Sequence, residues 1–433
     1  MNSQQYFLLQ PANISATRIS ADVMTTSSST TVVNEDKCDL ISRVYGATGV
    51  KDGLDWLSFD FHQPVPNSLA QPKSRQCAPD DAFWAFKHQE QTSLNGAFDH
   101  DYQQYSRTSH MGILDPTYDT FTSRKGHGSL LYKIQNNTAI VMGDPLCSPD
   151  DYELLSKEFQ GWCQDCRLKV AFMGVGESFI DYAQRSNWVS IRFARERALN
   201  PVTNAVLQKK AGKRMISQCR QLLDPGRGGI TLHVYIPSIS GRDFALESQL
   251  QQVYDNWREE RNSKQMASPQ AFVTVYDLFS HPDITTFVYT RYQNGCINGL
   301  STLRTVTANA GFHADPVIAS SSAPRGITDL LIIGCMGLLK RAQISYLSLG
   351  YEPLTEIEDS SKQPSLISWL TRTGYRRATD AMHVDGKANF LNKFRPDDSL
   401  DYDLHIVIPS RVLRVQQSAA LMHVANLRLR SLF

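Results

Sequence analysis

Three stretches of this chain occur twice in the same order, and that duplication limits the fold more than any other feature. LLYKIQNN (130–137) resembles FVYTRYQN (287–294), with Tyr132 over Tyr289 and Asn137 over Asn294. LKVAFMGVG (168–176) resembles ISYLSLGYE (344–352). FIDYAQRSNW (179–188) resembles LISWLTRTGY (366–375), aligning Ile180 with Ile367, Arg185 with Arg372 and Trp188 with Tyr375. The offsets grow from 157 to 176 to 187 residues, as insertions in the second copy would make them. Ordered matches of this kind predict one fold unit used twice.

Each unit alternates β-type runs with helical periods. Gly128–Ile134, Ala139–Met142 and Leu168–Met173, then Thr231–Ile236, Thr285–Arg291, Asn298–Arg304 and Ile344–Leu349, read as strands. Pro149–Cys163, Glu177–Arg185, Ala205–Leu223, Phe244–Glu260, Ile327–Ala342 and Ser365–Thr373 read as helices. Such alternation makes layered α/β or α+β domains. The expected organisation is a polar tail over 1–37, a first domain over 38–204, a connecting helix over 205–227 and a second domain over 228–433. Four prolines between 62 and 80 mark irregular surface structure in the first domain.

Charge singles out the connection. Arg185 to Arg227 holds ten Lys/Arg against Glu196 and Asp224, in a chain of formal net charge +1. On a helical wheel started at Lys209, Arg220, Lys213, Lys210 and Arg214 fall at about 20°, 40°, 100° and 140°. Met215, Ile216, Cys219, Leu222 and Leu223 fill the opposite side. A helix so divided docks by its apolar face and presents Lys209, Lys210, Lys213, Arg214 and Arg220 outward, a surface for phosphates.

Other signals exclude rather than assign. Leu330–Leu339 is too short for a membrane span and follows Asp329. The first fifteen residues lack the basic-then-apolar order of a secretory leader. An intracellular protein with at most peripheral membrane contact is expected. Arg411–Phe433, apolar with interspersed arginines, is a candidate for that contact or for packing on its own domain. Eight scattered cysteines include one CxxC, Cys163 and Cys166, without partners at zinc spacing. Walker, GxSxG and HExxH motifs are missing, so no metal or nucleotide cofactor is implied.

Several segments then carry a family resemblance. The ending LISWLTRTGY resembles the closing helix and aromatic of the GNAT acyltransferase fold, and Ser321–Gly326 stands where GNATs bind phosphate. Gly143-Asp144-Pro145, Gly212-Lys213-Arg214, Leu349–Leu354 and Asn389–Pro396 resemble, in order, segments of the C-terminal domain of bacterial phosphatidylglycerol lysyltransferases. The resemblance covers about 128–409 and implies tandem GNAT-like domains that move an amino acid from charged tRNA to a lipid hydroxyl. Asp315 matches a DxxR motif of that family, but Ile318 replaces its arginine, and the bacterial multi-span membrane domain has no counterpart. These departures resemble the freestanding fungal branch that aminoacylates the sterol 3β-hydroxyl. With no synthetase domain, the resemblance implies ergosteryl-glycine synthesis, with glycyl-tRNA as donor. Phosphatidylglycerol as acceptor, or a tRNA-binding module without catalysis, are the alternatives. The resemblance further implies His313, Asp315 and Asp329 as base or amino-group holder, and Arg325 and Lys393 as oxyanion or tRNA-end stabilisers.

Overall fold

The computed structural model describes residues 40–47, 54–63, 96–264, 277–359, 385–410 and 414–424. The expected tail, the Pro-rich stretch, the Ser365–Thr373 helix and most of the C-terminal apolar segment lie outside these residues. The strands are β1 (Asp60–Phe61), β2 (Asp119–Thr122), β3 (Ser129–Gln135), β4 (Thr138–Met142), β5 (Lys169–Val175) and β6 (Val189–Leu199). They continue with β7 (Thr231–Tyr235), β8 (Thr285–Arg291), β9 (Ile297–Val306), β10 (Gly311–Ala319), β11 (Leu347–Asp359) and β12 (Tyr402–Ile408). The helices used below are α1 (Leu40–Gly46), α2 (Gly96–Tyr105), α3 (Tyr152–Asp165), α4 (Glu177–Arg185) and α5 (Lys213–Leu223). After them come α6 (Phe244–Lys264), α7 (Ile327–Arg341), α8 (Asp385–Asn392) and α9 (Val415–Val424).

In each repeat an antiparallel run leads into one parallel pair bridged by a helix: β4, α3, β5 in the first and β10, α7, β11 in the second. The parallel pair needs a crossover, which α3 and α7 supply. Fully buried Phe159 and Phe179 on α3 and α4 pack against Phe172 of β5, each ring contributing about 2–3 kcal/mol. The second crossover is apolar nearly all round, with eleven of fifteen α7 residues buried, because α1 and α5 cover what the sheet does not.

The repeats do not close on themselves. The sheet order is β1-β7-β8-β9-β10-β11-β6-β12-β5-β4-β3-β2. Thus β6, the last strand of the first repeat, pairs with β11 of the second, and β12, the last of the second, pairs with β5 of the first. The two exchanged strands pair with each other at the centre, from Val189↔Ile408 to Glu196↔Tyr402. One twelve-stranded sheet results, and the described residues from Leu40 onward form a single compact unit. The GNAT-like α/β fold is as expected; the boundary at 204 divides the sequence repeat but not the packed body.

Counting outward from the centre corrects one of the three repeat matches. β5 and β11 occupy equivalent positions, as their sequences indicate, whereas β3 is equivalent to β9 and not to β8. The Gln-Asn similarity of the first match belongs to hairpin turns. Asn136 and Asn137 adopt φ of 48° and 52°, and Gly295 adopts 83°, a backbone for which Asn and Gly are both suited.

Candidate active site at the exchanged strands

The connecting helix is shorter than its sequence period. Residues 205–212 form turns, and α5 begins at Lys213. Lys209 and Gly212 both hold left-handed backbone, φ 62° and 64°. The Asn204 side chain accepts from Val206 N at 2.9 Å and donates to Phe394 O at 2.9 Å. The helical wheel therefore does not apply to Lys209 and Lys210, which precede the helix. From Lys213 onward it holds: Met215, Ile216, Cys219 and Leu222 are buried, and Lys213, Arg214 and Arg220 are exposed. Lys209 and Lys210 are exposed as well. None of these five cations forms an ion pair with a described residue; Arg220 lies 5.1 Å over the Trp56 ring.

The five catalytic candidates fall into two groups. Asp329, in the first turn of α7, pairs with Lys393, whose ammonium also lies 4.0 Å from the Phe390 ring centroid. The acid suits the positive end of the helix, and Lys393 ties the segment after α8 to it. Arg325 is exposed beside them, and its carbonyl accepts from Gln218 of α5 at 2.8 Å. Two amides of the 321–327 loop are already used, Ala323 N on Ser320 O at 3.0 Å and Ile327 N on Pro324 O at 3.4 Å.

His313 and Asp315 belong elsewhere. The start of α7 lies over Gly299, where an added Cβ would meet Ile327 at 2.4 Å, and Gly299 pairs with Ala319. His313 pairs with Arg304, five residues along β9, or about 17 Å away at the rise of a strand. The candidates His313, Asp315, Arg325, Asp329 and Lys393 therefore lie in two places on the sheet, His313 and Asp315 in one and Arg325, Asp329 and Lys393 in the other. Asp315 contributes its carbonyl oxygen, which accepts from Thr302 and from fully buried Arg304; its side chain is exposed.

Ladder pairs share a sheet face, and Arg304, His313, Ser348 and Ala198 form one row across β9, β10, β11 and β6. The neighbouring row Phe312, Leu347, Leu199 faces the opposite way, into the core beneath α7. Two residues along β6 from Ala198 stands Glu196, only 2% exposed. Its Oε1 accepts from Thr108 and, at 2.9 Å, from Tyr346 Oη. Burial, then Glu196, pushes the Tyr346 phenol far up, so it stays a donor.

A first-repeat segment roofs this row. Ser106 and Thr307 hydroxyls are 2.9 Å apart, Ala308 N donates to Ser106 O at 3.0 Å, and Met111 packs with Ala198, Val306 and Tyr346. The roof is anchored by the Gly143-Asp144-Pro145 turn. Asp144 accepts from Gly176 N at 2.7 Å and Tyr402 Oη at 3.2 Å, and pairs with Arg107 at 3.4 Å. His110 Nδ1 accepts from Arg107 N at 2.9 Å, which leaves Nε2–H to donate to Asp144 O at 2.8 Å. Burial lowers the His110 pKa and keeps the ring neutral.

Sequence reasoning missed Glu196, Arg107, Tyr346 and Tyr402. Glu196 entered only as an acid diluting a basic stretch, although it falls in register with Ala194 and Ala198 on the apolar side of an alternating strand. A surface groove of about 700 Å³ between α3 and α4, lined by Asp150, Glu153, Lys157, Tyr182, Arg185 and Trp188, includes no candidate. In the CxxC, Cys163 is buried and its thiol is pushed up to about 12 by burial, while Cys166 is exposed.

Known proteins are similar to this chain in sequence family and in fold. A family model described as phosphatidylglycerol lysyltransferase, C-terminal, matches residues 90–405. No curated protein matches the chain. The structure of L-PGS from Bacillus licheniformis is similar with a TM-score of 0.60 at 17% identity, over 76% of this chain and 95% of that one. The C-terminal domain of a putative lysylphosphatidylglycerol synthetase from Agrobacterium fabrum gives 0.58 at 17% identity, over 78% and 96%. These two show the shared fold, and the family match covers well over half of the sequence. The chain belongs to the phosphatidylglycerol lysyltransferase C-terminal family, a family of lipid aminoacyltransferases.

Proposed function

We propose that the protein moves an amino acid from aminoacyl-tRNA to the hydroxyl of a membrane lipid, with glycine and the sterol 3β-hydroxyl as donor and acceptor. The observation that carries the reading is the connecting segment: five exposed cations, none paired with a described residue, between two halves of one acyltransferase sheet. A uniform basic surface takes up phosphates without sequence preference. The ester bond of the donor is already activated. The protein has to bring donor and acceptor together, remove the hydroxyl proton and protonate the departing ribose oxygen. Buried His313 is the candidate base. Phosphatidylglycerol fits equally as acceptor and is the second reading, because the similar solved structures are named for its lysyl ester. Among the described residues no helix is long and apolar enough to cross a membrane; the acceptor is met at the membrane surface.

The test is transfer of label to lipid. The protein is mixed with tRNA charged separately with labelled glycine, aspartate, lysine or alanine, and with liposomes containing ergosterol or phosphatidylglycerol. Labelled sterol from glycyl-tRNA supports the narrow reading; labelled phospholipid keeps the mechanism and changes the acceptor; no labelled lipid from any donor refutes the function. In the same assay Lys393→Ala lowers kcat/KM for charged tRNA if its charge holds the tRNA end beside the start of α7, away from His313. Full activity removes it from the site.

A further inference from the structure

The central carboxylate is only half used. Both hydroxyl donors of Glu196 bond the same oxygen, Oε1, and no described residue donates to Oε2. A carboxylate offers about four acceptor positions, and buried polar groups rarely leave them empty. Arg107 is near enough to feel the Glu196 charge, but its guanidinium is held by Asp144 at 3.4 Å and Asn309 at 3.4 Å. Thr108, Tyr346 and the ladder partner Tyr351 are uncharged. A negative group 2% exposed to solvent thus stands without its own counter-ion, which is costly unless a cation arrives to share it.

The position of Glu196 is equally telling. It lies on the same sheet face as His313, two strands and two residues away, about 12 Å between Cα atoms by strand geometry. Two long side chains and one aminoacyl group fill such a span. Every aminoacyl ester, whatever its side chain, carries an α-ammonium next to the carbonyl carbon under attack. Resting on the transferase reading above, we propose that Glu196 receives this α-ammonium through Oε2 and so orients the ester carbonyl toward the acceptor hydroxyl. The contact is the same for every amino acid, so it selects for a free amino group and not for a side chain. A peptidyl or N-acylated donor lacks the charge and is refused.

The experiment compares glycyl-tRNA with N-acetylglycyl-tRNA as donors for wild type and Glu196→Gln, with kcat/KM to lipid and tRNA affinity measured for each. Glutamine keeps an oxygen for Thr108 and Tyr346 but loses the charge. Wild type prefers the free amine by about 10²-fold, the scale of one buried charge-assisted hydrogen bond. In Glu196→Gln the preference shrinks to within a few-fold, through a loss on glycyl-tRNA alone, and tRNA affinity is unchanged. Equal use of both donors by wild type overturns the assignment, and this arm needs no variant to fold. A preference that survives in Glu196→Gln also overturns it, because the discrimination then comes from the bulk of the acetyl group. Absence of transfer by wild type from every charged tRNA overturns the function and this assignment together, a result distinct from the other two.

Discussion

Neutralising Lys210, Lys213 and Arg214 as glutamines tests the phosphate surface most directly. All three are exposed and unpaired with any described residue, and two begin α5. Glutamine has nearly the helix propensity of Lys and Arg, and surface changes of this kind alter stability by about 0.5 kcal/mol or less. The fold is therefore retained and the effect is electrostatic. Each lost phosphate contact lowers the slope of log K against log salt by about 0.7–0.9, so three lower it by about 2–3. At about 0.15 M salt the same relation removes roughly 0.6–0.7 decades per contact, or about 10²-fold in all. Fluorescence anisotropy of labelled tRNA across a salt series reads both quantities. Weaker binding with an unchanged slope would mean that the cations act on the protein and not on phosphate. Unchanged affinity and slope would remove the connecting segment from the nucleic-acid interface.

Two further outcomes follow from packing in and over the sheet. Gly176→Ala places a Cβ 1.3 Å from Tyr402 Oη, forcing the ring off Asp144; chemical denaturation should register a loss of about 2–3 kcal/mol, and a wild-type midpoint would show that β12 does not depend on this contact. His110, His233 and His405 all have pKa values lowered by burial, so below about 6.5 the unfolded chain binds more protons than the native one. Their contribution is complete above that pH and is lost as pH falls through the lowered values; melting temperature should drop from pH 7 to pH 5, and a flat profile would contradict neutral burial.

Much of the architecture was legible because it is written in local periodicity. The apolar side of α5, the β4–α3–β5 crossover and the buried α7 all follow patterns in the sequence. What escaped was set by backbone dihedrals and by distant pairing. Gly212 permits a left-handed backbone that stops a helix, but nothing in the pattern announces the same conformation at Lys209. Asp329 and Lys393 were singled out separately, yet their most immediate meaning is each other, an ion pair joining segments 64 residues apart. His313 was singled out by resemblance to the family, but its partners on the sheet come from β9, β11 and, one strand further, from the first repeat.

The strand exchange explains why the candidate site draws on both repeats. Had each unit kept its own closing strand, β6 would border β5, and Glu196 would lie in a different sheet from His313. With β6 inserted beside β11, Glu196 stands on the same face as the second repeat's His313. The same insertion brings Tyr402 of the last strand against Asp144 and Gly176 of the first repeat, where an alanine would not fit. Duplication alone yields two equivalent folds. Exchange makes their equivalent positions unequal, because at the shared centre one repeat supplies the carboxylate and the other the histidine. The proposed reaction joins two dissimilar substrates, a charged nucleic acid and a lipid, and a centre asymmetric in this way offers each a different side chain.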